Sequence, residues 1–572
     1  MNSTQTNLNI GIIGGGPSAM FLYKRLIEAS DHTVNITIYE KGNRLGAGMP
    51  YSAAGANDEH VTNVSGNEIP ELVTSVSDWI WTVPKDTLDK YKIDPERFNE
   101  YKVLPRLLFG QYLTEQFRLL LQQAKEKGIN TIVKFNAAVA DLVDDPAGGR
   151  VQVITSAGDK FYHERIAICS GHYWPKKNEG KVAGYFDSPY PPSKLTFKVD
   201  HEVAIRGSSL TAIDAIRTLS RYNGSFDKDA EGNLTYSAYP ESKNFRMVMH
   251  SRNGLLPAVR FHLEDSHLGK DTVLSRDEIA RVREANNGFL PLDYVFDKNF
   301  KDGIKENDPD FYHRIKDMQT EEFVDLMMGM REERDAFELL QAEYDEADRS
   351  IEKRESIYWK EMLGILSFAM NYPAKYFSAE DMQRVQKTLM PLISIVIAYV
   401  PQSSAIEMLA LHNAGVLDII AVGEDSTVEP ADDGGATVTY TDKDGEQKTK
   451  HYQTFVDCIG QPHLSFSDIP YKSLIDNRVL TPAKLKFSDP KAGQQALAKG
   501  DGKVTQDASG DFYLNVAGVA INDDFQAVDG YSALNERVYI MAVPYIGGFN
   551  PDYSGLDFGE AASALIIKAM LR

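Results

Sequence analysis

Six residues near the start of the chain, Gly14-Gly15-Gly16-Pro17-Ser18-Ala19, have the types and spacing of a turn that cradles a phosphate. Gly14 permits the tight turn, Gly16 lets backbone approach a pyrophosphate, and small Ala19 lets the next helix pack closely on its strand. Downstream, Glu40 is placed to accept hydrogen bonds from a ribose. The elements needed to hold these residues are legible. Leu8 to Ile13 reads as a buried strand and Met20 to Ala29 as a helix with one apolar face. Val34, Ile36 and Ile38 alternate with Asn35, Thr37 and Tyr39 in a strand that ends at Glu40. The helix start adds free N–H groups and a positive dipole end for phosphates. This pattern implies a dinucleotide site.

A second pattern of the same kind lies further on. Glu202 to Ile205 reads as a short strand, then Arg206-Gly207-Ser208-Ser209-Leu210-Thr211-Ala212 opens a helix through Leu219. Ser209 stands where the middle glycine belongs, which weakens the signal. Phe245 to His250 reads as a strand ending on Ser251-Arg252, and a cation there suits the 2′-phosphate of NADP. The other reading is a plain strand-turn-helix with a surface arginine. Asn223 to Asn244, rich in Gly, Asp, Ser and Asn, reads as an excursion between that helix and strand. Arg165 to Cys169 runs into Ser170-Gly171-His172, and Phe455 to Cys458 into Ile459-Gly460, turns where backbone must pass close to something.

Composition bounds the rest. The 572 residues are 42% apolar and 25% charged, ordinary for a globular protein with sizeable cores. A net charge of −21 argues against nucleic acid or an anionic membrane as partner. The two cysteines, Cys169 and Cys458, form no CxxC or metal-ligand spacing, so no metal site is expected and a reducing cytoplasm fits. Met1 to Asn9 is polar, with no targeting pattern, and Leu389 to Val400 contains Pro391 and is too short to span a membrane. It suits a buried helix.

Arg260 to Ala379 is charged and helix-rich. Phe323, Leu326, Met327, Met330, Phe337, Leu340 and Tyr344 recur at the spacing of an amphipathic helix, in a segment suited to cover a site. Asp442-Lys443-Asp444-Gly445 marks a hairpin turn between Thr437–Tyr440 and Lys448–Tyr452. Arg537 to Val543 reads as a strand, Gly547 to Pro551 as a loop and Gly559 to Leu571 as a final helix. His60, His172, His250 and His262 lie near these loops and read first as hydrogen-bonded structural histidines.

Together these motifs resemble the two-dinucleotide-binding flavoproteins, which include the class B flavin monooxygenases and the amine N-hydroxylases. They are more closely similar to bacterial FAD/NAD(P)-binding proteins. The resemblance is carried by Gly46-Ala47-Gly48-Met49-Pro50-Tyr51, Thr62-Asn63-Val64-Ser65, Pro105-Arg106 before Gly110-Gln111-Tyr112, and Ser251 through Pro257. It covers residues 8–260 well and 395–572 loosely. The sequence departs from it at Ser209, and Tyr185 to Tyr190 stands where class B enzymes carry an FxGxxxHxxx(Y/W) fingerprint.

The resemblance implies an α/β fold with two Rossmann-like domains and a helix-rich insertion. The FAD domain would take 1–200 and 461–572, the NAD(P) domain 201–262 and 396–460, and the insertion 263–395. FAD would bind at Gly14, Gly16, Pro17, Ser18, Ala19 and Glu40, with Lys41 and Arg44 reaching phosphate or ribose. Gly46, Gly48, Met49, Tyr51, Thr62 and Gly171 would lie by the isoalloxazine. Asn63 is the catalytic candidate: its amide would face the flavin's reactive edge, the alternative being a turn residue. NADPH would bind at Gly207, Ser208, Ser209, Thr211, Ser251 and Arg252. The implied activity is a single-component monooxygenase that forms a C4a-peroxyflavin with O2 and oxygenates a small nucleophile such as an amine or amino acid. The alternatives are an FAD-dependent dehydrogenase or oxidase, and a non-catalytic nucleotide-binding regulator. A homo-oligomer is compatible with all three.

Overall fold

Ile10, Ile12 and Ile13 leave almost no surface to solvent because the strand Leu8–Ile13 has a neighbour on each edge. Val34–Tyr39 pairs with it in parallel on one side and Arg165–Ile168 on the other. A central parallel strand covered on both faces has to be apolar along its length. In this computed structural model, which describes residues 7–30, 34–263, 274–461, 463–551 and 555–572, that strand organises a six-stranded sheet. Edge to edge the order is Gln526–Val528, Leu534–Ile540, Arg165–Ile168, Leu8–Ile13, Val34–Tyr39 and Asn130–Lys134. The chain winds one way through Val34–Tyr39 and Asn130–Lys134 and places its later strands on the other side. The switch point therefore falls between Leu8–Ile13 and Arg165–Ile168, where doubly wound sheets hold ligands.

A second sheet repeats this plan. Its parallel strands run Tyr185–Phe186, Thr454–Asp457, Glu202–Arg206, Arg246–Ser251 and Leu417–Ala421, with the switch point between Glu202–Arg206 and Thr454–Asp457. The helix Leu210–Asn223 covers it, held to the helix Gln402–Asn413 by Arg217 and Arg221, which both donate to Glu407. Two Rossmann-like sheets with a helix-rich insertion are the expected α/β architecture. The strand Tyr185–Phe186 corrects one boundary: it joins the second sheet although it precedes residue 201.

The inserted helices, from Arg276–Ala285 to Met390–Val396, straddle both units. Most of their apolar side chains share one core with the first sheet. Asp523, beside that sheet, accepts the hydroxyls of Tyr372 at 2.5 Å and Tyr376 at 2.6 Å. The helix Ala336–Lys353 instead joins the second core, where Phe337 stacks on His412 at 3.8 Å. The residues from Phe323 to Tyr344, expected on one amphipathic helix, belong to two, Thr320–Glu332 and Ala336–Lys353. Asp335 makes the break by accepting from the Phe337 and Glu338 amides as an N-cap. Met330, expected on the buried face, is 51% exposed.

Other boundaries move modestly. The apolar run from Leu389 becomes the helix Met390–Val396, which continues directly from the π-helical turn Val385–Leu389, so Pro391 sits where the hydrogen-bond ladder is already altered. The excursion after Asn223 is a hairpin of Gly224–Lys228 with Leu234–Ala238. The closing strand is Leu534–Ile540 and the closing helix Leu556–Met570. The latter packs on Pro17–Ala29, with Gly559 against Phe21 and Glu560 paired with Lys24 and Arg25. Met1–Thr6, part of the polar N-terminal stretch, lies outside the described residues. Among the described residues no helix is long and apolar enough to cross a membrane.

Two buried histidines give the fold a pH dependence. His163 meets the Tyr39 hydroxyl at 2.8 Å and His250 that of Tyr452 at 3.2 Å. Burial pushes both down to about 4, against about 6.5 in an unfolded chain. The unfolded state therefore takes up protons first, and stability present at neutral pH is lost as pH falls from about 6.5 towards about 4. Urea midpoints should fall steadily over that window. His163→Gln, which offers Tyr39 a hydrogen bond but does not titrate, should show a shallower fall; an identical slope would assign the effect elsewhere.

Candidate functional site

At each switch point the chain builds the same loop. The Gly14 amide donates to the Tyr39 carbonyl at 2.8 Å, and the Gly207 amide to that of His250 at 2.8 Å. The Cys169 amide donates to Ile13 at 2.9 Å, and that of Cys458 to Arg206 at 2.8 Å. Gly14 and Gly207 both have left-handed backbone, with φ of 108° and 103°. A Cβ on Gly14 would sit 2.8 Å from the Cys169 carbonyl oxygen, and one on Gly207 2.7 Å from that of Cys458. Only glycine fits at either position. The two cysteines are thus equivalent in the two units, buried and unpaired, with burial pushing both thiols up.

Gly16 and Ser209 occupy equivalent cap positions with nearly the same backbone, φ −83° and −88°. Ser209 therefore adopts the turn without strain, and its departure from glycine changes only what fills the crevice. A Cβ on Gly16 would meet nothing closer than the Gly48 Cα at 3.4 Å, and Gly171 faces open space. The equivalence also pairs Glu40 with Ser251 and Lys41 with Arg252. Glu40 accepts from the Gly15 amide at 2.9 Å and the Gly42 amide at 2.6 Å. Ser251 accepts from the Gly254 amide at 3.1 Å, and the Ser208 hydroxyl donates to the Leu255 carbonyl at 2.7 Å, closing the second loop on itself. Exposed Arg252 pairs with Glu424 at 3.2 Å. Lys41 and Arg44 are exposed beside the first loop, and Thr211 is half-buried beside the second.

The loop from Gly46 to Tyr51 docks on the first turn, the Gly46 amide donating to the Gly15 carbonyl at 2.8 Å. Its glycines are required by protein neighbours. A Cβ on Gly46 would enter the Leu113 carbonyl, and one on Gly48 would lie 2.9 Å from the Pro17 ring, which adjoins Ser18 and Ala19 at the helix start. Gly110 is required in turn by the Tyr51 carbonyl, while the Tyr51 ring meets Phe109 edge-on at 4.9 Å. Met49 and Tyr51 are half-buried.

Thr62 and Asn63 lie in a strand, Val61–Ser65, so Asn63 is not a turn residue. The Thr62 hydroxyl is spent on protein, donating to the Val64 carbonyl and accepting from the Leu104 amide. Arg260, 3% exposed, donates to the Asn63 carbonyl and pairs with Glu68, so the strand is gripped at its backbone while the Asn63 side chain stays half-buried.

Sequence reasoning missed the cluster beside this strand. Arg106 donates through Nε to the Val61 carbonyl at 2.9 Å and through Nη1 to Asp214 at 2.5 Å. Asp214, in the helix Leu210–Asn223, also accepts the Tyr190 hydroxyl at 2.6 Å. Burial raises the Asp214 carboxyl most of any single influence, but the Arg106 charge and the hydrogen bonds from Tyr190 and Arg106 together hold it below the ordinary carboxylate range. His60 is buried and neutral: burial lowers it, its Nδ1 accepts from the Asn57 amide, and its Nε2 therefore carries the proton towards the Asp214 carbonyl at 3.1 Å. Thr218 donates to Glu59 at 2.6 Å. One signal for Asp214 was available: an acid inside the apolar run Ala212-Ile213-Asp214-Ala215-Ile216. Arg106 is part-buried in the cluster, and Tyr112 is buried with its hydroxyl on the Thr74 carbonyl.

Residues 11–173 match the family described as FAD-NAD(P)-binding, and residues 275–397 match that described as the YdhS-like middle domain. The chain is 27% identical over 472 residues to the uncharacterized protein YdhS of Escherichia coli (strain K12), spanning 81% of this chain and 85% of that protein. Similar solved structures include the Kutzneria sp. 744 ornithine N-hydroxylase, at TM-score 0.44 and 12% identity over 99% of both chains. Another is the cadaverine monooxygenase DfoA of Erwinia amylovora, at TM-score 0.43 and 10% identity over 99% of this chain and 94% of that one. Structural likeness at this level says nothing of what this chain acts on. The first family match agrees with the resemblance to FAD/NAD(P)-binding proteins.

The two glycines of the first turn should separate fold from ligand. Gly14→Ala places a methyl against the Cys169 carbonyl on left-handed backbone, so it should lower the melting temperature. Gly16→Val has room in the protein and ordinary φ, so it should fold normally yet lose FAD, read as flavin absorbance per chain. Full flavin content in folded Gly16→Val would remove that turn from the site.

Proposed function

We propose that the chain is an FAD-dependent, NADPH-linked oxidoreductase, and specifically a monooxygenase acting on a small amine or amino acid. The observation that carries this reading is the repetition of one ligand-cradling loop at two switch points, with different polar groups at equivalent positions. Two dinucleotides held by one chain are a means of passing electrons between them. At the first loop, Glu40 keeps lone pairs for a ribose beyond its two amide contacts, and the gap at Gly16 fits a pyrophosphate. At the second, the residue equivalent to Glu40 is neutral Ser251, followed by Arg252, which favours a 2′-phosphate over a bare ribose diol. Ser209 there offers a hydroxyl to phosphate in place of close backbone approach.

FAD, when bound, accepts a hydride from NADPH and hands the electrons to O2. The chain supplies orientation and dryness. Pro17, Ser18 and Ala19 open the helix whose free amides face the phosphates, with Lys41 and Arg44 as nearby cations. Asn63 would offer its amide to negative charge accumulating as oxygen is transferred. The amine class rests on the resemblance of the Thr62-Asn63 and glycine motifs to amine N-hydroxylases. Two buried, unpaired cysteines and the strong negative charge suit the cytoplasm.

The test is anaerobic mixing of flavinated protein with NADPH or NADH, followed by aeration with amines and amino acids. Rapid flavin reduction by NADPH and an oxygenated product support the proposal; reduction yielding only peroxide points to an oxidase, and no reduction with any substrate to a binding protein. Arg252→Ala should weaken NADPH by about 1.5–3 kcal/mol, the scale of a charged hydrogen bond, and spare NADH. Equal losses would make Arg252 structural.

Asn63→Asp should keep FAD and divert electrons to hydrogen peroxide, because a carboxylate there opposes accumulating negative charge. NADPH consumed against peroxide released is the measure. Unchanged coupling would take Asn63 out of the mechanism.

A further inference from the structure

The segment Asn57 to Asn63 follows the first glycine loop in the chain, yet its Glu59 and His60 reach the helix that follows the second. Glu59 accepts from Thr218, His60 faces the Asp214 carbonyl, and the Val61 carbonyl takes the Nε of Arg106 while Nη1 of the same guanidinium binds Asp214. Tyr190, from the crossing between the units, closes on the same Asp214 oxygen. Asp214 is 5% exposed and the Arg106 side chain 14%, so water screens this pair little.

On the other side of the crevice the two crossing segments are tied to each other. Tyr173 exchanges two hydrogen bonds with the Gln461 side chain, and the Trp174 indole donates to the Gly460 carbonyl at 3.0 Å. The units thus meet through Gln461 and Trp174 on one side, and on the other through Arg260, which grips the Asn63 carbonyl, and through the Arg106–Asp214 clamp. The clamp reaches both Asn63's strand and the helix whose start forms the second loop.

We infer that Arg106 and Asp214 are a positioning pair that sets the distance between the two nucleotide sites, so that their ion pair governs the rate of electron transfer between cofactors rather than the binding of either. The kinetic part rests on the proposed function; the geometric part does not. Neither loop's own closure, through Ser208 and Ser251 or through Glu40, passes through Arg106 or Asp214.

The test compares Asp214→Asn with the double variant Arg106→Gln/Asp214→Asn, which leaves no unpaired buried charge, and with Arg106→Lys. Expected are full FAD content, NADPH affinity within about twofold of the wild type, and a limiting anaerobic reduction rate slower by roughly tenfold to a hundredfold. Arg106→Lys should be intermediate, since it keeps charge but loses the fork that binds the Val61 carbonyl and Asp214 together. A limiting rate unchanged in the flavinated double variant would overturn the inference. So would a matching loss of NADPH affinity, which would put Asp214 in the cofactor site itself.

Hydrogen exchange supplies the readout that does not depend on activity. In the double variant the amides of Val61 to Ser65 should exchange faster while those of Leu8 to Ile13 keep wild-type protection. Unchanged protection at Val61 to Ser65 would overturn the positioning role even if NADPH fails to reduce the wild-type protein, a result that would count against the proposed function alone.

Discussion

Everything near the two crevices depends on a backbone approach that forbids a side chain. Where Gly14 turns out of its strand, the carbonyl of Cys169 on the neighbouring strand occupies the volume a Cβ would need, and Gly207 meets Cys458 in the same way. The approach brings adjacent strand ends together at the switch point and splays the chains beyond them, which opens the crevice. It also sets the direction in which each following helix starts, and so where its free amides point. Had either position carried a side chain, strand register and helix start would both have to shift.

Charge is buried where the units meet, and its role differs from that of the apolar cores. Arg106–Asp214 and Arg260–Glu68 both lie largely away from solvent. Pairs of this kind contribute little net stability, because desolvation offsets the attraction, yet losing one partner costs about 3–5 kcal/mol. They are selective rather than adhesive: an apolar contact tolerates sliding, whereas a guanidinium fork fits its acceptors in one arrangement. The two units have separate hydrophobic cores, and the charged contacts fix how they face each other.

Local chemistry made the loops readable in advance. Glycine at a forbidden Cβ position, an apolar strand before it and alternation after it leave their mark within a few dozen residues, so Gly14, Gly16, Glu40 and Gly207 could be named without coordinates. Ser209 shares its backbone conformation with Gly16, so the turn itself does not need a glycine there. What stayed hidden depends on contacts between distant segments. That Gly46 and Gly48 are also required by Leu113 and Pro17 could not be read from the sequence, because those contacts join separate segments. The place of Arg106 could not be read because its acceptor, Asp214, is supplied by the other unit. The break at Asp335 was missed because helical periodicity continues across it while the cap stops the hydrogen-bond ladder.

The packing of the helix Pro17–Ala29 against Leu556–Met570 has a consequence for how this molecule comes into being. The first strand to be made waits for a sheet neighbour, Arg165–Ile168, whose own outer partner, Leu534–Ile540, is made near the end. Contacts of such sequence separation carry a large loop-closure cost before they are rewarded, which slows folding. On the ribosome the second unit and the inserted helices are complete while the first sheet still lacks an edge and its helix an apolar cover. The nascent chain therefore displays unfinished strand edge and exposed helix face for most of synthesis, the kind of surface that chaperones hold.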